Sequence, residues 1–179
     1  LQTNHFTLTN NGTINVRGTI RNAQDTLGNN SVTINNGTIN IFSTGTIVAV
    51  DNGSIITNNG VVNNYGDFLC QTSGVINNTA GGRINNYSAY SVISGTGGFR
   101  VNYIATFNNV GVFINNTGAT ILNANNATGI YNYGGGTIIN NGTFTNNGDI
   151  FTGNSTCGIG TITGTIINTG TITTGCPSP

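Results

Sequence analysis

Asp25, Asp51, Asp67 and Asp149 are the only carboxylate side chains in this chain, and Arg17, Arg21, Arg83 and Arg100 are its only strong bases. Acid–base cleavage of a polysaccharide on a β-helix needs carboxylates or basic groups gathered at one place. The four aspartates are scattered along the sequence; only Asp51 and Asp67 could meet, across stacked coils. Each reads better as a corner or turn residue, and no Lys is present to act as a base or to form an isopeptide cross-link. Catalysis is therefore not expected, and no catalytic residue is assigned. His5 is the only histidine and the three cysteines form no Cys-x-x-Cys pair, so a zinc or haem site has no ligand set to draw on. Neither a metal nor another cofactor is expected. Cys157 and Cys176, 19 residues apart, are a candidate disulfide. Cys70 is left over, as an intersubunit bond or as a free thiol acting as a small buried hydrophobe.

The elements that would have to position these groups are set by an unusual composition. The 179 residues include 34 Asn, 30 Thr and 28 Gly, about half of the chain. Ile outnumbers Leu by 23 to 5, a bias toward strands, because β-branched side chains fit a pleated surface. Net charge is zero, with too few scattered Arg to displace counterions from a nucleic acid. No apolar run approaches the ~18 residues of a membrane helix. Gly, Asn and Thr are poor helix formers and no 3.6-residue apolar period appears, so the chain is expected to be all-β.

The informative signal is a short internal repeat. Gly, a small residue and then an aliphatic or Phe recur at Gly12-Thr13-Ile14, Gly18-Thr19-Ile20, Gly37-Thr38-Ile39, Gly45-Thr46-Ile47 and Gly60-Val61-Val62. The pattern continues to Gly82-Arg83-Ile84 and, after a gap, from Gly111-Val112-Phe113 to Gly170-Thr171-Ile172. Many units end in Asn-Gly, residues that accept positive φ at little cost and so turn the chain. Strands this short offer one or two inward side chains each. An antiparallel β-sandwich with a donated N-terminal strand, the alternative fold, would have a starved core. A triangular parallel β-solenoid stacks single residues into continuous columns.

Gly18 to Gly37, Gly142 to Gly160 and Cys157 to Cys176 span 19, 18 and 19 residues. They predict about nine coils of roughly 18–21 residues, a rod on the order of 40–45 Å long at ~4.8 Å per coil. Inward columns should be Ile, Val and Phe, with Asn amides hydrogen-bonding from coil to coil at the corners. Near-absence of charge follows, because like charges stacked at that spacing repel. Over Asn10–Asn86 and Val110–Gly175 the pattern resembles the Asn/Gly/Thr-rich parallel β-solenoid repeats of secreted fibre proteins and filamentous-haemagglutinin-like adhesins. The resemblance implies a cell-surface adhesive or structural role.

The expected organisation is an N-terminal strand over 1–9, exchanged with a neighbour or serving as the first coil, a single solenoid domain over 10–175, and a proline-containing tail at 176–179. Residues 87–109 break the repeat and are rich in aromatics; they predict an enlarged coil or bulge with an aromatic-filled core, or a protruding loop that contacts a partner or another subunit. Phe6, Leu8, Tyr90, Phe99 and Tyr103 are the candidate subunit contacts. Ten Asn-x-Ser/Thr sequons are candidate N-glycosylation sites: Asn11, Asn29, Asn36, Asn52, Asn77, Asn86, Asn115, Asn126, Asn141 and Asn154. With the absence of Met, which fits a processed N-terminus, they point to an extracellular or cell-surface protein. The function expected is a structural subunit whose partner is a second copy, polymerising head to tail into a filament. The alternatives are an adhesin segment that binds surfaces or glycans, and an ice-binding solenoid using Thr7/Thr9, Thr143/Thr145, Thr161/Thr163 and Thr171/Thr173. Asn-Gly pairs at 11, 36, 52, 59, 141 and 147 are sites of deamidation, expected to be slow where corners are rigid in the assembled state.

Overall fold

The computed structural model describes residues 1–179 except 1, 5, 26, 52, 89–97, 102–105, 124–128, 133–136, 147–148, 152–160, 164–165, 169–170 and 174–179. The chain begins with β1 (Gln2–Asn4), β2 (Thr7–Asn10), β3 (Thr13–Val16), β4 (Thr19–Ala23), β5 (Val32–Asn35), β6 (Thr38–Ile41), β7 (Thr46–Ala49), β8 (Ile55–Asn58) and β9 (Val61–Asn64). It continues through β10 (Asp67–Cys70), β11 (Val75–Asn78), β12 (Arg83–Asn86), β13 (Gly98–Val101), β14 (Thr106–Asn109), β15 (Val112–Asn115) and β16 (Thr120–Asn123). The last strands are β17 (Gly129–Asn132), β18 (Thr137–Asn140), β19 (Thr143–Asn146), β20 (Asp149–Phe151), β21 (Thr161–Thr163), β22 (Ile166–Asn168) and β23 (Thr171–Thr173).

Each strand pairs in parallel with the strands three before and three after it, where these exist, giving three sheets of eight, eight and seven strands. This is the three-sided parallel β-solenoid, and the antiparallel sandwich is overturned. The coils are fewer and longer than nine of 18–21 residues. Among the described residues no sheet exceeds eight strands, so its axial rise is about 34 Å at ~4.8 Å per strand. Stacked Asn residues one circuit apart are separated by 25, 23, 20, 31 and 23 positions. The glycine spacing misled because Gly18 precedes β4 and Gly37 precedes β6, strands of different sheets. A circuit holds three strands and three corners, and the corners vary in length.

Four-residue strands follow from their sequence. In Thr38–Ile41 the inward residues are Ile and the outward ones Thr and Asn, in Val32–Asn35 the inward ones are Thr33 and Asn35, and in both the burial alternation has the period of two that a pleat imposes. The core is three columns. One runs Ile20, Ile47, Phe68, Phe99, Ile121, Phe144. The second holds Leu8, Thr33, Ile56, Ile76, Phe107, Ile130, Ile150, and the third Ile14, Ile39, Val62, Ile84, Phe113, Ile138, Ile162. Thr33, the polar member, is buried and donates from Oγ1 to Oδ1 of Asn22 at 2.8 Å.

The aromatic segment at 87–109 contributes β13 and β14 to the same winding. Its Phe99 and Phe107 meet Phe113 of β15, filling one whole layer with phenyl rings at edge-to-face centroid distances of 4.8, 4.9 and 5.6 Å. Residues 1–9 contribute β1 and β2, which in the single chain pair with β4 and β5. The tail at 176–179 lies outside the described residues.

Corner glycines are required by close approach. A methyl group at Gly60 would collide with the backbone oxygen of Gly37, and one at Gly37 with that of Gly12, whereas Gly12 has open space beneath it. Gly60→Ala should therefore lower stability by about 1–3 kcal/mol through overpacking, while Gly12→Ala leaves the melting temperature nearly unchanged. Thermal melts of the two variants check this.

Candidate functional site

Stacking brings identical side chains together, and Asn profits most. An amide carries both donor and acceptor, so identical residues can bond in a chain; a carboxylate, acceptor only, cannot. The inner ladder runs Asn10, Asn35, Asn58, Asn78, Asn109, Asn132, each Nδ2 donating to the next Oδ1 at 2.7–2.8 Å. The same Nδ2 groups of Asn10, Asn35, Asn58, Asn78 and Asn109 also donate to the carbonyls of Thr38, Val61, Arg83, Val112 and Thr137, tying each corner to the coil above. A second inner ladder joins Asn64, Asn86, Asn115 and Asn140 at 2.8 Å. At the third corner Asn123 donates to Asn146 at 2.7 Å. These side chains are buried, and each amide nitrogen named as a donor here has its acceptor.

Two outer ladders cover the first coils: Asn59 to Asn36 to Asn11, and Asn85 to Asn63 to Asn40 to Asn15, all at 2.8–2.9 Å. Their donors point toward the N-terminal end, opposite to the inner ladders.

The N-terminal end of the stack is open. Strand β1 pairs with Arg21, Asn22 and Ala23 of β4. A cavity of about 290 Å³ opens there, lined by Leu8, Ile14, Val16 and Ile20 with Asn15, Arg17, Gly18 and Thr19. Leu8 and Ile14 are half-buried where Ile39 and Ile56, one and two coils further on, are fully buried. Ile162, the last member of the third column, is likewise half-buried.

The sequence-derived candidates fall as follows. Of the subunit contacts, Phe6 is 68% exposed and Leu8 lines the open end. Phe99 is a correction: it is fully buried among phenyl rings and offers no surface to a partner. Tyr90 and Tyr103 lie outside the described residues. Cys70 is a buried thiol whose Sγ–H donates to the Gly74 carbonyl at 3.1 Å, at a corner position paired with Ala49, the surroundings of a small buried hydrophobe. Cys157 and Cys176 lie outside the described residues, as do His5 and the side chain of Asp149.

Asp51 and Asp67 are not brought together. Asp67 opens β10 opposite Thr46, while Asp51 lies beyond the far end of β7, 3.7 Å from Arg21 in an ion pair. Asp25 folds its own loop, its Oδ1 accepting from the amides of Leu27 and Asn29, each at 2.8 Å. The Thr-x-Thr pairs fall on different sheets: Thr7/Thr9 and Thr171/Thr173 at opposite ends of one, Thr143/Thr145 on another and Thr161/Thr163 on the third. The four pairs therefore do not share one sheet face.

Among the sequons, Asn86 and Asn115 are corrections, since both amides are buried ladder members and a glycan there is incompatible with the fold. Asn11, Asn36 and Asn141 are exposed, Asn29 and Asn77 half-buried, and Asn52, Asn126 and Asn154 lie outside the described residues. The inner ladders, the dominant feature of the interior, were foreseen as corner ladders; their opposite polarity to the outer ones was not, because nothing in the repeat encodes it.

The geometry also orders the Asn-Gly pairs. Succinimide formation requires the Gly nitrogen to attack the preceding Asn side chain. The Gly37 and Gly60 amides are bonded to the Asn10 and Asn35 carbonyls at 3.1 and 3.0 Å, and both Asn36 and Asn59 side chains are held in a ladder. Asn11 begins that ladder, and the Gly12 amide donates to the neighbouring Asn10 side chain at 3.1 Å rather than to a carbonyl of a preceding coil. Peptide mapping after mild alkaline incubation should show Asn11 converting first and Asn36 and Asn59 several-fold more slowly, a difference that vanishes in denaturant.

No protein-family model matches the chain, and no curated protein does. Among solved structures it is similar to a hyper-glycosylated TibA fragment produced with TibC, at 15% identity over 98% of this chain and 80% of that one, with a TM-score of 0.27. At that score the likeness carries no functional weight.

Proposed function

We propose that this chain is an extracellular structural subunit, without catalytic activity, whose coils continue from one molecule into the next to build a filament or surface fibre. The observation that carries this reading is the open N-terminal coil. Its half-buried Leu8 and Ile14 sit around an apolar cavity, and the outer ladders end there at Asn11 and Asn15, whose Oδ1 atoms accept from Asn36 and Asn40. A further coil of the same chemistry would bury the cavity walls and accept from both amides. The far end of the third column, Ile162, is half-buried in the same way, so the two ends are complementary in kind. Backbone groups at a sheet edge favour the same union. The extracellular placement rests on the charge-poor, sequon-rich sequence.

The test is the size of the purified chain over a concentration series, by sedimentation and negative-stain electron microscopy. Rods longer than one molecule are expected, and Ile14→Asp should hold the chain monomeric while leaving its fold intact. Dispersed monomers at high concentration would sink the filament reading and favour an adhesin segment that binds a surface or glycan.

A further inference from the structure

One corner carries a column that neither the core nor the ladders absorb. The residue after each of the first six strands of the seven-stranded sheet reads Arg17, Phe42, Tyr65, Tyr87, Asn116, Asn141 in successive coils. Backbone bonds hold this register: Phe42, Tyr65 and Tyr87 donate their amides to the carbonyls of Val16, Ile41 and Asn64 at 2.9, 2.7 and 2.8 Å. Arg17 lies over the Phe42 ring with Cζ 4.3 Å from its centroid. Tyr65 and Tyr87 stack with centroids 4.7 Å apart and planes within 6°. Both are large apolar side chains left exposed, at 47% and 43%, so reagents in solution reach them.

We propose that Tyr65 and Tyr87 are a site of oxidative cross-linking, joined by a one-electron oxidant of the haem-peroxidase class with hydrogen peroxide into a dityrosine that staples two successive coils. Each phenol loses one electron and one proton to give a tyrosyl radical. The radicals combine through ring carbons ortho to the hydroxyls, forming one C–C bond, and tautomerisation of the two ring hydrogens restores aromaticity. The peroxide takes up the two electrons and two protons and becomes two waters. The coil spacing does the positioning: because the two rings are already neighbours, coupling is intramolecular and outruns encounter between chains. The proposal is independent of the filament reading, since it requires only one molecule.

The experiment treats the purified full chain, kept dilute, with peroxidase and hydrogen peroxide, the enzyme's competence being checked on free tyrosine. Expected are dityrosine fluorescence, a monomer mass lower by two hydrogens, and a cross-linked peptide joining the segments around residues 65 and 87. Tyr65→Phe and Tyr87→Phe retain the stacked rings and should melt as the parent does, yet each should abolish that cross-link. Unchanged mass, links made through other tyrosines, links found only between chains, or a 65–87 product surviving in either variant would overturn the proposal.

Discussion

Asn58→Asp is expected to unfold most of the molecule at neutral pH, although it exchanges one amide for an isosteric carboxylate. Asn58 is fully buried; it accepts from Asn35 at 2.7 Å and donates to Asn78 at 2.8 Å and to the Arg83 carbonyl at 3.2 Å. An ionised Asp keeps the accepted bond but turns both donated ones into oxygen facing oxygen. Each buried group left without a partner costs about 1–3 kcal/mol, more where charge is involved. The sum is comparable with the total stability of a domain, ~5–15 kcal/mol. Burial among acceptors raises the carboxyl pKa of the folded state above its unfolded value. The folded state then binds more protons, so the variant gains stability as pH falls and the neutral acid can again donate one bond. Urea titrations at pH 7 and pH 4 should show a large deficit at the first and a smaller one at the second. Asn40→Asp, in the outer ladder where water can substitute, should cost under about 1 kcal/mol at both. Equal costs at the two positions would remove the distinction between inner and outer ladders.

Phe99→Ala is expected to cost about 3–5 kcal/mol and to change how the molecule unfolds. Phe99 is fully buried and touches rings in its own layer and the one beneath: Phe107 at 4.8 Å, Phe113 at 4.9 Å and Phe68 at 5.4 Å between centroids. Small side chains cannot collapse into that space, because the strand backbones are held apart by their own hydrogen bonds. A solenoid is held together coil by coil, so a weakened layer in mid-stack uncouples the parts on either side of it. Denaturation should therefore broaden or split in two, with a lower apparent m-value, whereas Phe144→Leu nearer the far end should shift the midpoint only. A single sharp transition of unchanged slope would argue against the central layer as the coupling point.

How much of this was legible beforehand can be judged residue by residue. The inward Ile of Gly12-Thr13-Ile14 and Gly37-Thr38-Ile39 stack as the repeat demands, because an aliphatic residue alternating with Thr has only one face to bury. The corner Asn ladders were legible for a related reason, since only an amide bonds to copies of itself. Coil length was not. Equal glycine intervals at successive corners look like a full circuit, and only pairing shows that Gly18 aligns with the corner of Gly45 and Gly12 with that of Gly37. Phe99 could be read either as a core ring of an enlarged coil or as a subunit contact, and the winding that sets it against Phe107 and Phe113 decides for the first.

By itself, then, the sequence determined the architecture: parallel winding, three apolar columns, Asn corners and the exclusion of charge. All follow from period-two burial and from what an identical residue can do to its own copy one coil away. The tertiary structure alone decided which copies those are. It set Asn86 and Asn115 inside, parted Asp51 from Asp67, dispersed the Thr pairs over three sheets, and brought Tyr65 against Tyr87. The physical reason is that a corner of variable length changes which residues fall one above another without altering the local pattern from which each strand is read.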